Sequence, residues 1–139
     1  MKIGNCIYAK THAEFLNKVL GKEYKAWMKS SYNLSDGKII WMIQLGDFIS
    51  STGWKNKLET PEKISEMHFG VVFDYKHNTY KNALETGTYF NSADRVVFDV
   101  IKTSPTRKYV FRGVFRLNRQ TSTSNENVWD LVKDEYEIR

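Results

Sequence analysis

Two runs rich in Val, Phe, Ile and Tyr, residues 95–102 and 107–118, flank the turn-forming Thr103-Ser104-Pro105-Thr106. β-Branched and aromatic residues suit a pleated, half-buried surface, and a Ser/Pro cluster between two such runs marks a chain reversal. The pattern predicts one long β-hairpin. Arg95, Lys102, Arg107, Lys108, Arg112, Arg116 and Arg119 stud this region, and Asp99 is its single acid. A strand that alternates bulky apolar residues with arginine fits a sheet with one face in a core and the other near an anionic partner. Strand parity sorts the second run: Tyr109, Phe111, Phe115 and Leu117 face the core, while Lys108, Val110, Arg112, Val114 and Arg116 face away. Arg112 and Arg116 then project together, either to clamp a phosphate backbone or to pair with the acidic end of the chain.

At 139 residues the chain fits a single domain, residues 1–139, and its 14% aromatic content supplies large rings for a core of modest size. The net charge of +5 is uneven: residues 126–139 hold five acids and two bases, net −3, which leaves +8 on residues 1–125. A basic body with an acidic end from about 126 fits a polyanion binder. Cys6 is the lone cysteine, so neither an intramolecular disulfide nor a C-x-x-C metal pair can form. Cys6 itself reads as a small core residue in an apolar strand. No run approaches the ~20 apolar residues of a membrane span, and no signal-like segment opens the chain. A soluble, reducing, cytoplasmic setting is the expectation, with no membrane contact.

Residues 2–9 read as a first strand. Thr11-His12-Ala13-Glu14 has capping-box spacing, Phe15, Leu16, Val19 and Leu20 form an apolar stripe, and Gly21 stops the helix. Residues 38–45 (KIIWMIQL) are apolar on both faces and predict a central buried strand. Residues 46–56 (GDFISSTGWKN) predict a polar, glycine-punctuated loop that carries Trp54. Thr60-Pro61 predicts a second short helix over 61–67. Residues 68–75 (HFGVVFDY) predict a strand, 76–94 an irregular segment with one helical turn near 81–85, and 128–132 a last strand. The fold expected is α+β: a small, strongly curved mixed β-sheet or open β-barrel with two short helices.

No phosphate loop, G-x-G-x-x-G or G-x-S-x-G occurs, and His12, His68 and His77 are dispersed. Asp74-x-Lys76, with Glu62 and Glu66 upstream, is the one arrangement that could hold a divalent metal for phosphodiester cleavage. The same tripeptide also arises wherever a strand ends in solvated charges. Trp54 in its loop and Tyr89 and Phe90 in the irregular segment could stack on an unpaired base, worth ~1–3 kcal/mol per base. Ser50, Ser51, Asn56 and Asp94 could read its edge, and Lys55, Lys57, Arg95, Lys108, Arg112 and Arg116 could hold flanking phosphates. Trp27, Trp41 and Trp129, each with apolar neighbours, read as core.

The capped helix at Thr11, KIIWMIQL, the GDFISSTGWKN loop, HFGVVFDY and residues 107–118 (RKYVFRGVFRLN) follow one another in an order that resembles the PUA-like superfamily, the small barrels of ASCH, EVE, YTH and SRA type. The closing residues 128–138 (VWDLVKDEYEI) are similar to modules of this kind attached to restriction nucleases or helicase-like motors. The resemblance implies a pocket that accepts one base, often modified, flipped out of DNA or RNA. It makes Trp54 one wall of that pocket, with Tyr89 or Phe90 opposite.

The reading that emerges is a nucleic-acid-binding module, linked to restriction or phage defence, rather than an enzyme. DNA stands ahead of RNA as partner, and no cofactor is required. Two alternatives stay open: a metal-dependent nuclease around Asp74 and Lys76, and a phage-type interaction protein whose basic face takes an acidic protein partner.

Overall fold

Paired strands dominate the chain, as the density of Val, Ile, Phe and Tyr requires. The computed structural model describes residues 1–82, 84, 92–123 and 125–138, apart from the side chains of Val72 and Asp74. Among these lie ten strands and one helix: β1 (Cys6–Ala9), α1 (His12–Leu20), β2 (Ser31–Asn33), β3 (Ile39–Ile43), β4 (Trp54–Thr60), β5 (Lys63–His68), β6 (Val72–Asp74), β7 (Thr79–Lys81), β8 (Arg95–Lys102), β9 (Arg107–Leu117) and β10 (Glu126–Lys133). They divide into two compact units, the first made of Met1–Gln44, Ala93–Phe115 and Leu131–Arg139, the second of Leu45–Ser92 and Arg116–Asp130. No helix among the described residues is long and apolar enough to cross a membrane.

In the first unit the strands lie in the order β2-β3-β8-β9, with β1 paired to the start of β9. β3 and β8 are parallel, with Ile39 beside Arg95 and Ile43 beside Asp99, whereas β2–β3 and β8–β9 are antiparallel, so the sheet is mixed. Parallel neighbours need a long connection, and here it contains residues 45–92. Every residue of β3 is buried, which answers the two-sided apolar run in the sequence.

Helix α1 forms where its caps predict. Thr11 Oγ1 accepts from Glu14 N at 3.1 Å, and Gly21, at φ +65°, ends it by donating its N–H to Asn17 O. Glu14 reaches back to Lys10 N at 2.6 Å, one residue beyond the cap. Ala13, Phe15 and Leu16 are buried, and Phe15 stacks on Tyr109 at 4.2 Å and meets Phe98 edge-on at 4.8 Å. Ile40, Met42, Val96 and Phe111 complete the centre of this core. Trp41 is buried as well, and Trp27 packs half-buried on the core with Nε1 donating to Ser31 O. Cys6 departs from expectation: it points outward from edge strand β1 and is exposed.

The β8–β9 hairpin matches the sequence reading, with one structural correction. Val97 pairs with Gly113 but Phe98 pairs with Phe111, so Arg112 is an extra residue in a β-bulge. Gly113 adopts φ +112°, and a Cβ there would lie 2.4 Å from Leu131 Cδ1 and 2.9 Å from Lys133 O. The expected alternation holds through Tyr109 and Phe111; past the bulge Val114, expected to face away, joins the same core cluster, while Phe115 is fully buried as expected.

In the second unit β4, β5 and the Glu126–Asp130 part of β10 form an antiparallel sheet in the order β10-β5-β4, and β6 pairs with β7 separately. The helix expected over 61–67 is absent. Thr60 Oγ1 accepts from Glu62 N in the β4–β5 turn, and residues 63–68 are strand. Ile64 and Met67 have helical i, i+3 spacing, but β5 is hydrogen-bonded on both sides and the two ladders decide its state. The strand expected over 68–75 is also broken, since β5 ends at His68 and β6 begins at Val72. Trp129 is fully buried, as expected. The helical turn expected near 81–85 falls partly outside the described residues, and Lys81 itself closes β7.

Candidate nucleic-acid interface

The 46–53 loop is fastened to β4 by its own backbone. Gly46 N donates to Asn56 O at 2.9 Å, Ser50 N to Trp54 O at 2.7 Å, and Gly53 N to Ser50 O at 3.0 Å. Ser50 Oγ accepts from Trp54 N at 3.0 Å and lies 3.1 Å from Thr52 Oγ1. Gly53 holds φ +91°, its carbonyl accepts from Phe69 N at 2.6 Å, and a Cβ there would lie 2.1 Å from Phe69 O. Only glycine fits both the backbone angle and the space. The consequence is the placement of Trp54 at the head of β4, half-buried, its ring 4.6 Å from that of His68 at 57°. His68 is buried and its Nε2 donates to Thr52 O at 3.1 Å, while its carbonyl accepts from Asn82 Nδ2 at 2.6 Å.

Register then builds a face. Trp54 opposes His68, Asn56 opposes Glu66, and Leu58 opposes Ile64; across β5, Glu66 opposes Asn127 and Ile64 opposes Trp129. Opposed residues share a face, and so do alternate residues along a strand. One face therefore carries an indole, an imidazole and a polar row of Asn56, Glu66 and Asn127 beside Leu58, Ile64 and Trp129. Glu66 Oε1 accepts from Asn127 Nδ2 at 3.0 Å and from Trp129 Nε1 at 3.2 Å, which fixes its carboxylate. Asn56 Oδ1 is buried and has no hydrogen-bond partner among the described residues. A buried acceptor left unmade costs ~1–3 kcal/mol, and a ligand N–H would recover it. An aromatic ring next to an amide oxygen and an oriented carboxylate suits a planar heterocycle with an amino group on its edge.

The opposite face of the same strands carries Lys55 and Lys57. Asp47 bridges them: Oδ1 lies 2.6 Å from Lys55 Nζ and Oδ2 3.9 Å from Lys57 Nζ. Lys57 also lies 4.0 Å from Glu59. The hydrogen bond from Lys55, with the charges of Lys55 and Lys57, holds the Asp47 carboxyl below the usual carboxylate range.

The other residues singled out from the sequence divide plainly. Ser50 is half-buried and engaged in closing the loop, and Ser51 is exposed beside it. Asp94 belongs to the first unit, where its carbonyl accepts from Ile39 N at 3.0 Å. Tyr89 and Phe90 lie outside the described residues. Arg95 is 8% exposed with its guanidinium 5.5 Å from the Trp41 ring centroid, a cation–π placement inside the fold that does not present its charge to an external phosphate. Arg112 meets Asp99 at 3.4 Å, so its partner is the hairpin's own acid and not the acidic end of the chain. The bulge explains this, because it turns Arg112 out of the plain alternation that was to pair it with Arg116. Lys108 is half-buried beside Tyr8, and Arg116 is exposed. Among the described residues no group of three His, Cys, Asp or Glu side chains could hold a metal ion; the side chain of Asp74 lies outside them.

A family model, the SET and RING associated (SRA) domain, matches residues 1–138. The chain belongs to this family. SRA domains are PUA-like DNA-binding modules that read a modified cytosine turned out of the duplex, so the superfamily read from the sequence holds, and the chain is a nucleic-acid-binding module. Among solved structures it is similar to the 5-hydroxymethylcytosine-specific restriction enzyme AbaSI, at 20% identity and a TM-score of 0.64, over 95% of this chain and 40% of that one. That likeness shows the fold, and the chain spans two fifths of the other's length. No curated protein sequence matches it.

Sequence reasoning missed His68 and Asn127 and placed Glu66 only beside Asp74. The signal was present. Written as strands, Trp54-x-Asn56-x-Leu58 and Ile64-x-Glu66-x-His68 alternate so that every named side chain shares a face.

Proposed function

We propose that the β4–β5–β10 face of the second unit receives a single modified cytosine extruded from duplex DNA. The observation that carries the reading is the buried, unpartnered Oδ1 of Asn56, opposed to the oriented carboxylate of Glu66 and two residues from Trp54. Cytosine presents an N4 amino donor, and carboxylate and amide oxygens are its natural acceptors. Trp54 supplies the stacking surface that replaces the neighbours lost on extrusion. A 5-hydroxymethyl group is the first modification to test, because a solved structure similar to this fold carries that specificity in its name. The module then acts as the reading part of a restriction system in which cleavage comes from other residues.

The test is competition binding of duplexes that differ at one base: cytosine, 5-methylcytosine and 5-hydroxymethylcytosine. Wild type prefers a modified base. Trp54→Ala and Asn56→Ala each reduce that preference by about tenfold, the equivalent of ~1–2 kcal/mol of stacking or one buried hydrogen bond, and leave the salt dependence of binding unchanged. A preference unaltered in both variants overturns the assignment of this face.

A further inference from the structure

The lysines behind the proposed pocket are already occupied by an anion of the protein's own. Gly46 N bonded to Asn56 O and the parallel bridge of Leu45 with Asn56 set the start of the loop against β4. The next residue, Asp47, then spans Lys55 and Lys57 with its two oxygens, 2.6 Å and 3.9 Å away. The two lysines are alternate residues on one side of β4, and both stay accessible, at 26% and 38% side-chain exposure. Asp47 is 69% exposed, so the pair is open to exchange with solvent anions. Two divergent oxygens shared between two ammonium groups is also the contact one backbone phosphate makes with a pair of lysines.

We propose that the Asp47 carboxylate is an internal stand-in for a DNA phosphate, and that DNA must displace it from Lys55 and Lys57 to bind. Asp47 thereby weakens the sequence-independent part of the interaction, so that base reading carries a larger share of the affinity. The proposal extends the reading above, since it assigns Lys55 and Lys57 to the backbone of the same DNA. Its chemistry needs only a polyanion. Asp47 remains ionised throughout the neutral range, because both lysines depress its titration, so the competitor is present at every working pH.

The opposite role for Asp47 is to position the lysines for phosphate, and the two roles predict opposite signs. Elution from heparin and binding to unmodified duplex are measured for wild type, Asp47→Asn, Lys55→Gln/Lys57→Gln and the triple variant. Displacement predicts that Asp47→Asn elutes at higher salt and binds duplex about three- to fivefold more tightly, the scale of an exposed ion pair. It also predicts that the triple variant behaves like the double lysine variant. Unchanged or weaker binding by Asp47→Asn overturns the proposal. So does a gain that persists without the lysines, which would mark a general charge effect. Heparin offers no base to read, so its result stands apart from the modified-cytosine competition, and failure of one is distinguishable from failure of the other.

Discussion

Gly53 is the position where fold and proposed pocket meet, and Gly53→Ala tests how strictly that joint is built. Its φ of +91° is a conformation that a side chain disfavours by ~1–2 kcal/mol. The new Cβ would lie 2.1 Å from Phe69 O, against 3.4 Å or more for ordinary contact, so backbone must move by over 1 Å. That movement strains the bond from Phe69 N to Gly53 O, worth ~1 kcal/mol. The sum is a loss of about 2–3 kcal/mol. Urea unfolding followed by tryptophan emission reads it as a lower midpoint at unchanged slope. Trp54 follows Gly53 directly, and its N–H is held by Ser50 Oγ, so the same variant should also lose preference for modified cytosine under conditions where it remains folded. A change below ~0.5 kcal/mol with preference intact would refute the claim that this glycine sets the loop.

Other perturbations follow from the same geometry. Gly113→Ala should destabilise by about 1–3 kcal/mol through the φ of +112° and the approach of Lys133 O at 2.9 Å, without altering base preference; parallel denaturation and binding curves check both halves. Glu66→Gln should reduce the preference for modified cytosine, because a neutral amide accepts more weakly from an N4 amino group, while thermal stability stays within about 1 kcal/mol as its oxygen still meets Asn127 and Trp129. His12 titrates at about 4, below its ordinary 6.5, because burial and then the charges of Arg107 and Lys102 disfavour its cation. The unfolded chain therefore binds a proton between these values that the folded chain does not. Stability is complete above pH 6.5 and falls as pH drops towards 4, by about 1–2 kcal/mol after allowance for its partial exposure. Thermal midpoints across that range should show a smaller fall in His12→Gln.

Local signals that agree with tertiary demands were legible in the sequence. The threonine cap at Thr11, the glycine stop at Gly21 and the two-sided apolar run of β3 each form as read. The hairpin at 95–118 does too, because β-branched strands around a Ser-Pro turn admit few alternatives. The failures share a cause. Residues 61–67 carry a helix-start signal and helical spacing, but pairing with β4 and β10 outweighs both. Trp54 reads as a loop residue from sequence because Lys55, Asn56 and Lys57 follow it; a strand with one face for a ligand and one for solvent is polar enough to imitate a loop. The β9 alternation broke at a bulge whose only trace was Gly113. Trp54 and Asn56 were legible as single residues, whereas their alignment with Glu66 and His68 exists only once the strand register is known.

The account rests on a cytosine leaving the duplex to meet Trp54 and Asn56. Fluorescence of 2-aminopurine placed next to a single 5-hydroxymethylcytosine reports that event directly, since loss of a stacked neighbour raises its emission. The account predicts a rise on addition of wild-type protein, little rise with a cytosine duplex, and little rise with Trp54→Ala or Asn56→Ala. Saturable binding of the modified duplex with no change in emission would contradict it.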